Sequence, residues 1–143
     1  MMRLLLAILF VIGIAAPAVA EDAPLQIAGA TTVGAAQVVV MVNDLPQLVI
    51  IDNRKPDDFA SGAIEGAVPM TDTEMTPEAL ARLAPSRDSP LLFYCNGVKC
   101  GRAAKAVAKA VEWGYANVYY YALGLAEWNQ LGLPLVMTAQ ATH

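Results

Sequence analysis

The sequence of 143 residues has little histidine and little cysteine. The only histidine is the last residue, His143. A catalytic pair that depends on histidine and a histidine-rich metal site are therefore excluded. Two cysteines, Cys95 and Cys100, are too few for a framework of disulfides or for a zinc site. We therefore expect no metal and no cofactor, and chemistry that is local to the two cysteines.

Basic residues are also few, with nine against thirteen acidic ones. Arg3 is the only charge before Glu21, so removal of residues 1–20 leaves eight basic and thirteen acidic residues. Nucleic acid and anionic membrane surfaces both favour basic proteins, and we expect neither as a partner. What remains is enough for one domain with a buried core.

The first 20 residues have the pattern of a secretory signal peptide. An apolar run over residues 4–16 follows Arg3, and Ala18-Val19-Ala20 is a small-x-small cleavage pattern. An uncleaved anchor is the alternative, because the apolar stretch nearly reaches the roughly 20 residues that span a bilayer. Pro17 and the small residues favour cleavage, so we expect an exported, periplasmic protein without stable membrane insertion.

Apolar runs alternate with helical patterns through the rest of the chain. Strands are predicted at residues 48–51, 67–70, 91–94 and 118–121. Helices are predicted from residue 56 and at residues 76–83, 102–113 and 125–131. This order predicts an α/β fold with a central parallel sheet and helices on both faces.

Residues 31–44 fit either a strand or a helix. Residues 38–42 have a strand-like, β-branched composition, whereas Thr32 to Gln37 could begin a helix. The whole chain divides into a signal peptide (1–20), a flexible lead-in (21–31), one domain (32–136) and a C-terminal tail (137–143).

Cys95 lies between an apolar strand pattern and a helix pattern, at the start of a loop with two glycines. Loops at the carboxyl ends of parallel strands face the crevice where such sheets bind ligands. Free amides of the loop and of the following helix, with Lys99 and Arg102, would stabilise a thiolate and an incoming anion. Cys95 is therefore the predicted nucleophile, and the predicted substrate-binding residues are Asn96, Gly97, Val98, Lys99, Cys100, Gly101 and Arg102.

Three stretches of the chain resemble the signature of rhodanese domains. Leu48 to Phe59 with Gly62 to Val68 resembles the Asp-x-Arg, Glu-Phe and Gly-His-Ile-x-Gly-Ala motifs, and Leu91 to Cys95 resembles the strand that enters the catalytic cysteine. Residues 118–135, which include Gly124, Trp128, Gly132 and Pro134, resemble the closing pattern of the family. The similarity covers residues 32–136 in consistent order.

The resemblance implies a rhodanese-like fold and a sulfurtransferase activity. Cys95 would take sulfane sulfur from a small anionic donor such as thiosulfate, become a persulfide and pass the sulfur to a thiol acceptor. Asp52 and Arg54 would then be scaffold residues that pair with each other or with loop backbone.

The loop departs from the common pattern Cys-x-x-Gly-x-Arg or Thr. Either Cys100 takes the sixth position, or the loop is longer and Arg102 closes it. A longer loop resembles phosphatase and arsenate-reductase relatives, but six residues separate Cys95 from Arg102 instead of five, and no general acid follows.

Cys100 has two interpretations, a resolving thiol for Cys95 or a plain disulfide partner. Three functions therefore stay open. Sulfur transfer is the first, a thiol-disulfide relay with a redox partner protein is the second, and a non-catalytic binding module is the third.

Overall fold

The computed structural model describes residues 13–137 and centres on a five-stranded sheet with the order β1-β5-β4-β2-β3. The strands are β1 (Thr31–Thr32), β2 (Val49–Asp52), β3 (Val68–Pro69), β4 (Leu91–Tyr94) and β5 (Val118–Tyr121). The helices are α1 (Ala35–Asp44), α2 (Pro56–Ala60), α3 (Pro77–Leu83), α4 (Arg102–Glu112) and α5 (Gly124–Gln130). All pairings between these strands are parallel, so their carboxyl ends lie at one edge of the sheet.

The central strand, β4, is buried along its whole length. It pairs with β2 and β5, and Phe93 lies between Ile51 and Tyr120. A strand that is covered on both faces needs no polar positions, which explains why this part of the sequence is continuously apolar.

Helices cover both faces of the sheet. Alternate side chains of a strand point to opposite faces, so Phe93 and Tyr120 pack with α3 and α4, whereas Leu92 and Tyr121 pack with α1 and α5. The predicted α/β class, with a parallel sheet between helices, is confirmed. The predicted strands agree with β2 to β5 to within one residue at each end.

The ambiguous segment contains a short strand and a helix. Ala35, Val38 and Met41 recur on one side of α1 and are buried, while Val40 is 56% exposed. Packing of this apolar side against the sheet outweighs the strand preference of the valines. The two-residue β1 lies just before the helix and pairs with the edge of β5.

The segment predicted as a flexible lead-in, residues 21–31, packs against the domain. It has little regular structure before β1, but Ala23, Ile27 and Ala30 contact the core cluster on the α4 face. The backbone at Gly29 lies so close to Val111 that a Cβ atom there would come within 2.5 Å of its side chain.

Both predicted terminal segments extend outside the described residues. Residues 1–12 of the predicted signal peptide lie outside, as do residues 138–143 of the predicted tail, including His143. Residues 13–20 are exposed and have no regular secondary structure. Within residues 13–137, no helix combines the length and the apolar character needed to cross a bilayer.

Candidate active site

Cys95 follows the last residue of the central strand and is only 2% exposed. It packs on the α4 face of the sheet, where Ala103 and Ala104 from the first turn of α4 belong to the same core cluster. The loop after it covers residues 96–101 and leads directly into α4, with Gly101 at the N-cap position. The predicted order of strand, cysteine, loop and helix is therefore the arrangement in the structure.

The two cysteines form a disulfide in the structure. Their Cα atoms are 6.1 Å apart, which lies in the ordinary range for such a bond. Cys100 is half-buried and thus more accessible than Cys95. The Arg102 guanidinium lies beside it, with Nη1 at 3.7 Å from the Cys100 sulfur. The sulfur of Cys95, the predicted nucleophile, is therefore held in a disulfide that only a reductant can open.

The loop backbone offers several free donors. Among the described residues, the amides of Asn96, Gly97, Val98 and Lys99 donate to no protein acceptor. The Cys100 amide is used, since it donates to the Gly97 carbonyl at 3.0 Å. The amides in the first turn of α4 also have no partner within the helix. Amides at such a place can bind an anion and favour negative charge on a sulfur.

Helix α5 holds the beginning of the loop. The Leu125 amide donates to the Cys95 carbonyl at 3.0 Å, and the Ala126 amide donates to the Asn96 carbonyl at 2.8 Å. Gly124 has a left-handed φ of +54°, and a Cβ atom there would collide with the Cys95 carbonyl oxygen. Sequence reasoning missed this role of α5, although Gly124 was visible as part of the closing pattern.

The N-terminal segment, residues 21–31, contacts the other side of the loop. The Ala23 amide donates to the Val98 carbonyl at 2.7 Å, and Asp22 forms an ion pair with Lys99. Lys99 was predicted to attract an anionic donor, but its amine is already paired with a carboxylate. Nothing in the irregular sequence of this segment indicated the contact.

A second carboxylate meets the loop from α2. The Asn96 side-chain amide donates to Asp58 Oδ2 at 3.2 Å. Asp58 lies in the short helix α2, and sequence reasoning assigned it no role in the site. The loop is therefore flanked by two carboxylates, Asp22 and Asp58, and two cations lie beside them, Lys99 in the loop and Arg102 at the start of α4.

Asp52 and Arg54 form a buried pair at the carboxyl end of β2. Arg54 donates from Nε and Nη2 to the Asp52 carboxylate, with the shortest distance 2.7 Å, and Nη2 also donates to the Gly62 carbonyl. Burial alone would lower the pKa of Arg54, but the hydrogen bond and charge of Asp52 raise it above its ordinary value. These contacts join both residues to each other and to loop backbone, as expected of scaffold residues.

Tyr94 completes this network from the strand that carries Cys95. Its hydroxyl donates to Asp52 Oδ2 at 2.6 Å and accepts from the Ile64 amide at 3.2 Å. Burial, followed by the charge of Asp52, raises the pKa of Tyr94 far above its ordinary value. The hydroxyl therefore stays protonated and keeps its donor role.

Comparisons with known proteins agree with this geometry. A family model described as a rhodanese-like domain matches residues 35–131. The protein YibN of Escherichia coli K12 is 33% identical over 89 residues, which are 62% of this chain and 60% of YibN. A tRNA uridine(34) hydroxylase of Pectobacterium carotovorum is 34% identical over 107 residues, which are 69% of this chain and 29% of the hydroxylase. The chain thus spans less than two thirds of either relative.

A solved structure gives the same fold. The polysulfide-sulfur transferase homodimer of Wolinella succinogenes has a TM-score of 0.63 at 23% identity, covering 81% of this chain and 85% of that one. The matched family model and the shared parallel sheet lead to one conclusion: the chain belongs to the family of rhodanese-like domains.

Proposed function

We propose that the protein is a sulfurtransferase whose Cys95 thiolate accepts a sulfane sulfur and passes it on. The observation that carries this proposal is the position of Cys95. It follows the central strand in a loop with free amides, and that loop runs into the N-terminus of α4. Helix dipole, free amides and Arg102 together favour a negatively charged sulfur at this place.

Thiosulfate illustrates the transfer. The Cys95 thiolate attacks the outer sulfur of the donor, the bond between the two donor sulfurs breaks, and sulfite leaves with the bonding electron pair. A persulfide with one negative charge remains on Cys95. A thiolate of the acceptor then attacks the outer persulfide sulfur and releases the Cys95 thiolate, so the cycle needs no net oxidant.

The disulfide must be opened before this cycle can begin. A dithiol partner would attack the more accessible Cys100, and the Cys95 thiolate would leave. The second thiol of the partner would then release Cys100 and leave the partner oxidised. The disulfide would re-form by a different reaction, in which the Cys100 thiolate, as a resolving thiol, attacks the inner sulfur of a Cys95 persulfide and releases the outer sulfur as hydrosulfide.

Intact mass tests the proposal directly. Protein that has been reduced and freed of reductant is incubated with thiosulfate and weighed by mass spectrometry. We expect a gain of one sulfur atom, which is lost in Cys95→Ala and retained in Cys100→Ala. If reduced wild type and Cys100→Ala gain no sulfur from thiosulfate, a polysulfide or an organic persulfide, sulfur transfer is refuted.

A thiol-disulfide relay is the second candidate, because the two cysteines are joined in the structure. A relay would re-form this bond after reduction and exchange it with a dithiol protein, without any sulfur adduct. The same mass measurement separates the two functions, since loss of the two thiol hydrogens and gain of a sulfur atom differ clearly in mass.

We also propose that the protein is exported. The signal-peptide pattern of residues 1–20 supports this, and an oxidising compartment is where a disulfide is maintained. Fractionation of cells that produce the chain should give a periplasmic protein that begins at Glu21. Recovery of the uncut chain from the cytoplasm would refute export.

A further inference from the structure

We propose that Asp22 determines the charge class of the donor, because it holds Lys99 and thereby disfavours donors with two negative charges relative to donors with one. The inference rests on the proposed sulfur transfer and adds to it a specificity residue from outside the loop. That residue belongs to the N-terminal segment, which sequence reasoning left without a role.

Asp22 is held in place by backbone contacts. The next residue, Ala23, donates its amide to the Val98 carbonyl at 2.7 Å, and further along Thr32 Oγ1 donates to the Leu25 carbonyl at 2.7 Å. The segment therefore keeps the Asp22 carboxylate at the loop. Its partner Lys99 is 83% exposed and Asp22 is 50% exposed, so the pair faces solvent, where donors approach.

The charged side chains at the loop sum to zero. Lys99 pairs with Asp22, and the side-chain amide of Asn96 donates to Asp58. Arg102 then lies beside the Cys100 sulfur. Two cations and two carboxylates give these four groups no net positive charge. These four groups then give an anion no net attraction on approach, and the negative charge of Asp22 repels a dianion twice as strongly as a monoanion, while free amides of the loop remain to bind either.

The size of the effect follows from the distance and the donor charge. In water, a unit charge at a separation of about 6 Å changes the encounter with a monoanion by about threefold. The Coulomb energy doubles for a dianion, so the ratio becomes about tenfold. Salt screens both effects, because the Debye length falls to about 3 Å at 1 M ionic strength.

The experiment compares two donors on the full chain after reduction. Thiosulfate is a dianion, and benzenethiosulfonate is a monoanion that delivers sulfur by the same displacement. At low ionic strength we expect Asp22→Asn to raise kcat/KM about tenfold for thiosulfate and about threefold for benzenethiosulfonate. Both gains should shrink towards one at high salt.

Asp88→Asn is the matched control. Asp88 is exposed in the turn before β4, at the opposite edge of the sheet from Cys95, and its substitution removes the same charge. We expect no change in kcat/KM for either donor. Exposed ion pairs contribute little to stability, so neither variant should alter the fold.

Lys99→Gln tests whether the pairing itself matters. If Asp22 occupies the Lys99 amine, Lys99→Gln lowers kcat/KM for thiosulfate only slightly in the wild-type background and several-fold more in the Asp22→Asn background. Purely additive effects would show that Asp22 acts only through its field and would refute the role of Lys99.

The outcomes separate the inference from the function on which it rests. Equal gains for the two donors, or no gain beyond that of Asp88→Asn, overturn the specificity role of Asp22 while sulfur transfer stands. If no variant forms a Cys95 persulfide with either donor, nor with a polysulfide or an organic persulfide, the proposed function is overturned and the inference falls with it.

Discussion

At the residue scale, Tyr94 joins three parts of the chain that are distant in sequence. Its hydroxyl donates to Asp52 and accepts from the Ile64 amide, while Asp52 also forms an ion pair with Arg54. Tyr94 immediately precedes Cys95, so this buried network fixes the end of the strand that leads into Cys95. The contribution is to position rather than to chemistry.

Removing the Tyr94 hydroxyl should therefore destabilise the domain. In Tyr94→Phe the Ile64 amide loses its acceptor and the Asp52 carboxylate loses a donor inside the protein. We expect a loss of about 1–3 kcal/mol in the free energy of unfolding, measured in urea. Tyr119→Phe is the control, since Tyr119 is half-buried and its hydroxyl has no hydrogen-bond partner among the described residues. Equal losses in both variants would contradict the network.

The sequence anticipated only part of this network. The resemblance to rhodanese domains implied that Asp52 and Arg54 are scaffold residues that pair with each other or with loop backbone. Tyr94 gives no such signal, because a tyrosine in an apolar run is expected in the core. Its partners lie 42 and 30 positions away, and only the folded sheet brings them together.

At the element scale, the start of α5 is packed tightly against the loop that it holds. Gly124 is close to the Cys95 carbonyl and to the Gly97 amide, where a Cβ atom would approach within 3.1 Å of the amide nitrogen. The next two amides of α5 bind the carbonyls of Cys95 and Asn96. The position of the loop therefore depends on a helix more than twenty residues further along the chain.

Gly124→Ala should displace the loop. The left-handed backbone costs an alanine about 1–2 kcal/mol, and the clash with the Cys95 carbonyl adds to this cost. We expect both a lower free energy of unfolding and a slower formation of the sulfur adduct on Cys95. Unfolding in urea and timed intact-mass measurements check the two effects.

Gly132→Ala separates backbone strain from collision. Gly132 has a φ of +66°, but an added Cβ atom there would meet nothing within 4 Å. This variant should lose stability without slowing the adduct. If both variants slow the adduct to the same degree, the packing of Gly124 on the loop has no functional importance.

Sequence patterns identified most elements because each strand and helix has a local signal. Apolar runs mark β2, β4 and β5, and the Thr76 cap with Pro77 marks the start of α3, where Thr76 accepts from the Ala79 amide. The identity of α1 was open because its valines favour strands and only packing decides against them. The contacts of residues 21–31 with the loop were hidden, since a backbone hydrogen bond leaves no trace in composition.

At the scale of the whole molecule, buried tyrosines make the free energy of unfolding fall with rising pH in the alkaline range. Burial raises the pKa of Tyr94, Tyr120 and Tyr121 above the ordinary value of about 10, with Asp52 adding to the shift of Tyr94 and Glu127 to that of Tyr121. Above that pH the unfolded chain releases these protons while the folded chain retains them. The unfolded state then binds fewer protons, so stability falls as the pH rises.

The contribution of these tyrosines to the free energy of unfolding should therefore be constant below pH about 9 and decline above pH about 10. Tyr94→Phe removes one of the protons involved, so its decline should be shallower by about 1.4 kcal/mol per pH unit. Urea unfolding at a series of alkaline pH values measures both slopes. Parallel slopes for the variant and the wild type would show that Tyr94 titrates normally in the folded protein.

The bridge between Cys95 and Cys100 has a sequence separation of 5 residues. A crosslink over so short a span restricts few conformations of the unfolded polypeptide, so in the chain-entropy view it stabilises the folded state by only about 2 kcal/mol. It also ties no distant parts of the domain together. The protein can therefore gain or lose this bond while its architecture stays intact. While it is closed, such a reversible bond also shields the sulfur of Cys95 from irreversible conversion to sulfinic or sulfonic acid.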